Sequence, residues 1–143
     1  MVMRMFKQSA LAFILMGTAS NVSANTLTEE QSNLTKCAGY LWAVKELSPN
    51  AVNSSLDIIG VRMKAVSQKD DYPMMIFATL RDTANTNSQI IVSYVTSQYN
   101  AGKNPDIKAI SIKGIALCKK SGITIGWQND KMSVSLDDIG DVL

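Results

Sequence analysis

Cys37 and Cys118 are the residues of this 143-residue chain whose type and spacing point most directly to chemistry. Two cysteines are too few for a structural zinc site, which takes four ligands, and no His is present to complete one. They form no Cys-x-x-Cys redox pair. In an exported chain two cysteines pair, so the expectation is one structural disulfide that closes most of the chain into a loop. In the chain-entropy treatment a loop of this length stabilises the fold by about 4–5 kcal/mol.

Carboxylates are the other candidates. Two of them set apart across a cleft could cleave a glycosidic bond. Glu29-Glu30, however, suits the first turn of a helix, Asp70-Asp71 lies in a turn, and Asp137, Asp138 and Asp141 form an acidic tail. That tail lacks the alternating pattern of a calcium loop. With no His, neither a Ser-His nor a Cys-His nucleophile can be assembled. No G-x-S-x-G, Walker A or dinucleotide fingerprint occurs. The residues therefore point away from an enzyme, and no cofactor or metal is expected.

Binding residues stand out more. Tyr72, Met74, Met75, Ile76 and Phe77 crowd one short segment. On a helix, Met74 and Phe77 cannot share one face with Met75, so part of this apolar surface is left for a partner or must pack into the core. Trp127 lies beside a turn signal and reads as an interface residue, whereas Trp42 reads as structural. Tyr72, Met74, Phe77 and Trp127 are thus the candidate partner-binding residues. Lys103, Lys108, Lys113, Lys119 and Lys120 are opposed locally by Asp106 alone. Lys113 and Lys120 share a helical face, which reads as a solvated surface or as contact with an anionic partner.

The elements that must position these residues follow a leader. Arg4 and Lys7 form a positive start, Ala10 to Met16 an apolar run, and Val22-Ser23-Ala24 a small-residue cleavage site. Residues 1–24 therefore read as a signal peptide and 25–143 as one domain. The apolar run is too short to span a bilayer, and no Cys near the cut offers a lipid anchor. The expected location is the periplasm or the exterior, without a membrane anchor. The whole chain carries 14 Lys+Arg, 12 Asp+Glu and a net charge of +2. Loss of Arg4 and Lys7 makes the remainder neutral, which argues against a nucleic-acid partner.

Within the domain, Thr26 to Glu29 and Thr28 to Gln31 are overlapping capping-box patterns. They open a helix over 27–47 that carries Leu34, Cys37, Leu41, Val44 and Leu47 on one face. Val52, Leu56, Ile59, Met63 and Val66 predict a second helix over 50–67. A third begins at Pro73. The polar run Thr83 to Ser88 either breaks it or is an exposed stretch, and a fourth carries Ile90, Ile91, Tyr94 and Val95 as far as Ala101-Gly102. A fifth covers 105–120 and carries Ile107, Ile110, Gly114 and Leu117, with a strand as its competitor over 107–115. Alternation from Ile123 to Trp127 and from Met132 to Leu136 predicts a hairpin, in competition with a last helix from Ser135. The fold class is mainly α: a compact bundle of about five helices, a C-terminal β-hairpin and one disulfide.

Cys37-Ala38-Gly39-Tyr40-Leu41 with Ala43-Val44 forms a Cys-x-Gly-Tyr-aliphatic motif. It resembles that of the Rap1a/Tai-type immunity proteins, which protect the periplasm against type VI secretion amidases. Cys118 with Gly122 to Gly126 and Gln128 resembles their second cysteine segment. The chain departs from that pattern in a longer Cys-to-Cys spacing and in lacking a Pro after Cys118. The resemblance implies a small helical inhibitor, often a homodimer, that blocks a toxin's active site. The functional expectation is a small exported protein that binds a protein partner, an inhibitor or immunity factor of a toxin or hydrolase. Its alternative is a periplasmic chaperone or envelope assembly accessory.

Overall fold

A computed structural model of the chain describes residues 27–53 and 56–137. The leader and the acids Asp138 and Asp141 lie outside the described residues. The fold is mainly helical, with a two-stranded antiparallel hairpin at its C-terminal end. No helix among the described residues is long and apolar enough to cross a membrane.

Helix α1 spans Glu29–Leu47. It uses the second of the two capping boxes: the Gln31 amide N–H donates to Thr28 Oγ1, and the Thr28 N–H donates to Gln31 Oε1. Ser48 ends the helix, and Pro49–Ala51 forms a single 3₁₀ turn. The expected long second helix does not start there. Val52 instead makes a parallel bridge to Met132, and the Asn53 N–H donates to the Met132 carbonyl at 2.7 Å. Pairing with the hairpin thus claims the backbone groups that a helix would need, and α2 is confined to Asp57–Ser67.

Helix α3 runs without interruption over Pro73–Asn100. The run Thr83 to Ser88 does not break it, so two expected helices are one and the described residues hold four helices rather than five. The reason is packing. Ala84 and Ser88, one helical turn apart, are buried against α1, while Asn85 and Thr86 point to water. Tertiary contact overrides weak helix propensity. Helix α4 spans Ile107–Lys120, with the Asp106 carboxylate accepting from the Ala109 N–H at 3.0 Å. Strands β1 (Ile123–Gln128) and β2 (Lys131–Leu136) pair antiparallel. The competing last helix from Ser135 is not formed within the described residues. Asn129 and Asp130 both take positive φ, as a two-residue hairpin loop requires.

α1 is the central element. α3 packs along one side of it and α4 along another, while α3 and α4 barely meet. The segment Cys37 to Tyr40 fastens both neighbours. Cys37 is bonded to Cys118 of α4, and both are fully buried. A Cβ on Gly39 would lie 2.6 Å from Asn87 Cβ, so only Gly allows α3 this close. A Cβ on Gly114 would lie 2.3 Å from the Tyr40 ring, so the ring rests on the bare backbone of α4. Arg62 of α2 closes the other end. It is 6% exposed, donates from Nε to the Ser121 carbonyl at 2.7 Å, and pairs with Glu30 at 3.3 Å. It therefore ties α2, the start of α1 and the end of α4 together. A buried disulfide of this kind belongs to an oxidising compartment.

Candidate functional site

Three of the carboxylates singled out in the sequence, Glu30, Asp70 and Asp137, are occupied in structural contacts, as is Asp106. Glu30 pairs with Arg62, Asp70 accepts from the Gln31 side-chain amide, Asp106 caps α4, and Asp137 accepts from Thr124. No group of three or more His, Cys, Asp or Glu gathers among the described residues. Both cysteines are consumed in the disulfide. Two concave surfaces, by contrast, are lined mainly by apolar side chains.

They arise from the way α4 is held. Its C-terminal half is drawn onto α1 by the disulfide and by the contact of Gly114 with Tyr40. Its walls toward α3 stay apart, and two hollows remain. The larger, about 410 Å³, is lined by Tyr40, Val44 and Leu47 of α1, Ile91, Val95 and Tyr99 of α3, Ile107, Ile110 and Ser111 of α4, and Trp127 and Met132 of the hairpin. The smaller, about 320 Å³, lies between α3 and α4, with Ile90, Ile91, Ile110 and Leu117 as its apolar walls. Tyr40, Ile91 and Ile110 line both. Burial pushes the Tyr40 phenol above its ordinary pKa of 10.0, and a hydrogen bond with Ser111 offsets this in part. The phenol is therefore neutral at physiological pH and can exchange hydrogen bonds without carrying charge.

Large apolar groups stand exposed around the larger hollow: Leu47, Tyr99, Ile107 and Trp127, the last 57% exposed. Of these, the sequence marks only Trp127 as an interface residue; it places Leu47 and Ile107 on the apolar faces of their helices, and both stand exposed instead. Tyr99 and Leu47 sit in the last turns of their helices, and Leu47, although in phase with the apolar stripe of α1, lies at its very end, where the core no longer covers it. Ile107 opens α4, one residue after its cap.

The four predicted binding residues do not form one surface. Tyr72 and Met74 are exposed at the start of α3, with Met75 beside them. Phe77 is only half-free: it packs on the core, and the Arg81 guanidinium lies 6.0 Å from its ring centre. At about 1.5 Å per residue, roughly 38 Å of helix separates Met74 from Tyr99, which shares a hollow with Trp127. Trp42 is half-buried and packs against the core, as expected of a structural residue. Comparison with family models, with characterised proteins and with solved structures finds no match to this chain.

Proposed function

We propose that this protein is an exported binding protein that engages a protein partner through the rim of the larger hollow, and that it acts as an inhibitor or immunity factor for a toxin or hydrolase. One observation carries the reading: Leu47, Tyr99, Ile107 and Trp127, from four different elements, stand exposed around one preformed apolar hollow. Aromatic anchors around a pocket are what concentrate binding energy in protein interfaces. Export is supported by the leader-like first 24 residues and by the disulfide, and the periplasm is the compartment that fits both. The resemblance of the Cys37 and Cys118 segments to Rap1a/Tai-type immunity proteins supports the immunity role. A homodimer is compatible with the same rim.

The test is capture of partners by the disulfide-bonded protein from its own envelope, followed by assay of the captured partner. One stoichiometric hydrolase, inhibited by the wild type, supports the reading. Trp127→Ala and Tyr99→Ala are expected to weaken that inhibition at least about fivefold with folding retained. Unchanged inhibition by both variants overturns the rim as the interface.

The chaperone reading draws on a different surface. Tyr72, Met74 and Met75 are exposed together, Met74 to 87%, and flexible Met side chains suit varied clients. Many unfolded clients in the same capture, lost on Met74→Asp and kept on Trp127→Ala, would favour it over inhibition.

A further inference from the structure

The smaller hollow carries a charge pattern that partner binding at the rim leaves unused. Its floor is the Tyr40 ring and the Gly114 backbone, and its walls are Ile90 and Ile91 on one side and Ile110 and Leu117 on the other. The only charged residues that line it are Lys36 of α1 and Lys113 of α4, and the amide of Asn87 joins them. Both lysines are exposed, and no carboxylate among the described residues pairs with either. A cleft with charges of one sign and low-dielectric walls concentrates counter-ions. An inorganic anion would satisfy the ammonium groups and leave the walls wet. A neutral hydrocarbon would do the reverse. Only a ligand with both parts meets the whole surface.

We propose that the slot between α3 and α4 binds a free long-chain carboxylate, with its carboxylate between Lys36 and Lys113 and its hydrocarbon chain along Ile90, Ile91, Ile110 and Leu117. The volume of about 320 Å³ lies within the range of ordinary ligand sites. Lys36 and Lys113 stand on separate helices, so the pair frames an anion only when α4 is docked on α1. The site does not depend on the partner reading, because Trp127, Tyr99 and Leu47 do not line it.

The test is titration of the folded, disulfide-bonded protein with dodecanoate below its micelle concentration, read by methyl NMR. Saturable shifts are expected at Ile90, Ile91, Ile110 and Leu117. Lys36→Gln and Lys113→Gln should each weaken binding about threefold, and the pair about tenfold, as befits exposed charges. Dodecyltrimethylammonium should bind at least about tenfold more weakly, and Trp127→Ala should leave dodecanoate binding unchanged. Amide spectra like those of the wild type establish that the lysine variants are folded. The proposal is overturned if the methyls do not shift, if cation and anion bind alike, or if the lysine variants bind as the wild type does. Binding to phosphatidylglycerol vesicles with no response to free dodecanoate also overturns it, and assigns the lysines to a membrane surface.

Discussion

Tyr40 concentrates more of this structure's constraints than any other side chain. Its ring covers Gly114, its phenol bonds Ser111, and it lines both hollows. A methyl group at residue 114 would overlap the ring, with its nearest approach at 2.3 Å to an aromatic carbon. Gly114→Ala is therefore expected to destabilise by about 1–3 kcal/mol, despite the better helix propensity of Ala. The steric origin has a direct check. In a Tyr40→Ala background the same substitution should cost little, so a double-mutant cycle in urea should show strong coupling. Additive costs would mean that the ring is not what Gly114 accommodates. The phenol itself predicts a pH dependence. Its folded pKa lies above 10.0, chiefly through burial, while the unfolded chain ionises near the ordinary value. The neutral phenol's contribution is thus fully present below about pH 10 and is lost as pH rises further toward the folded pKa. Tyr40→Phe should flatten that alkaline decline, which urea midpoints measured on both proteins across this range will show.

At the scale of elements, α3 is where local preference and tertiary structure part. Thr83, Asn85, Thr86 and Asn87 are weak helix formers, and nothing local tells an exposed polar helical turn from a break. The distinction depends on Ala84 and Ser88 meeting Gly39, a contact between residues far apart in sequence. If the helix is continuous, an exposed residue within this run still has an obligatory backbone role. Thr86→Pro removes one intrahelical hydrogen bond and clashes with the preceding turn, so it is expected to cost about 3 kcal/mol or more. In a loop it would be tolerated, and a shift in thermal midpoint separates the two. The missed start of α2 has the same physical origin: the apolar spacing of Val52 and Leu56 suits a helix, but Val52 is claimed by Met132. Elements whose signals are local were legible. These include the Thr28 cap, the hairpin alternation with Asn129-Asp130 at its turn, and the helix ending in Lys119-Lys120. Of the two hollows, the sequence marked Trp127 at the larger and Lys113 at the smaller. Lys36, Tyr99 and Leu47 acquire their meaning from neighbours that α1, α3 and the hairpin bring to them, and Met74 proves remote from all of these.

For the molecule as a whole, the disulfide decides how evenly stability is distributed. α3 is held to α1 along much of its length, through close backbone approach at Gly39 and buried Leu80, Ala84, Ser88 and Val95. α4 has fewer ties: only Gly114 and Cys118 are fully buried along it, and its N-terminal half overhangs the larger hollow. Cys37–Cys118 therefore fastens the α-helix with the fewest buried residues to the element at the centre. Replacing both cysteines by Ala should cost about 2–5 kcal/mol, since a long loop is released in the unfolded chain. The loss should also be uneven. Amide hydrogen exchange should accelerate first in α4 and in the hairpin that follows it, while α1 and α3 keep most of their protection, because their contact needs no covalent help. Both hollows have α4 as a wall, so partner capture and dodecanoate binding should weaken together on reduction, before global unfolding. Uniform acceleration of exchange across all four helices would show instead that the bundle opens as one unit. The disulfide would then act on the unfolded chain alone, and the geometry of the two hollows would not depend on it.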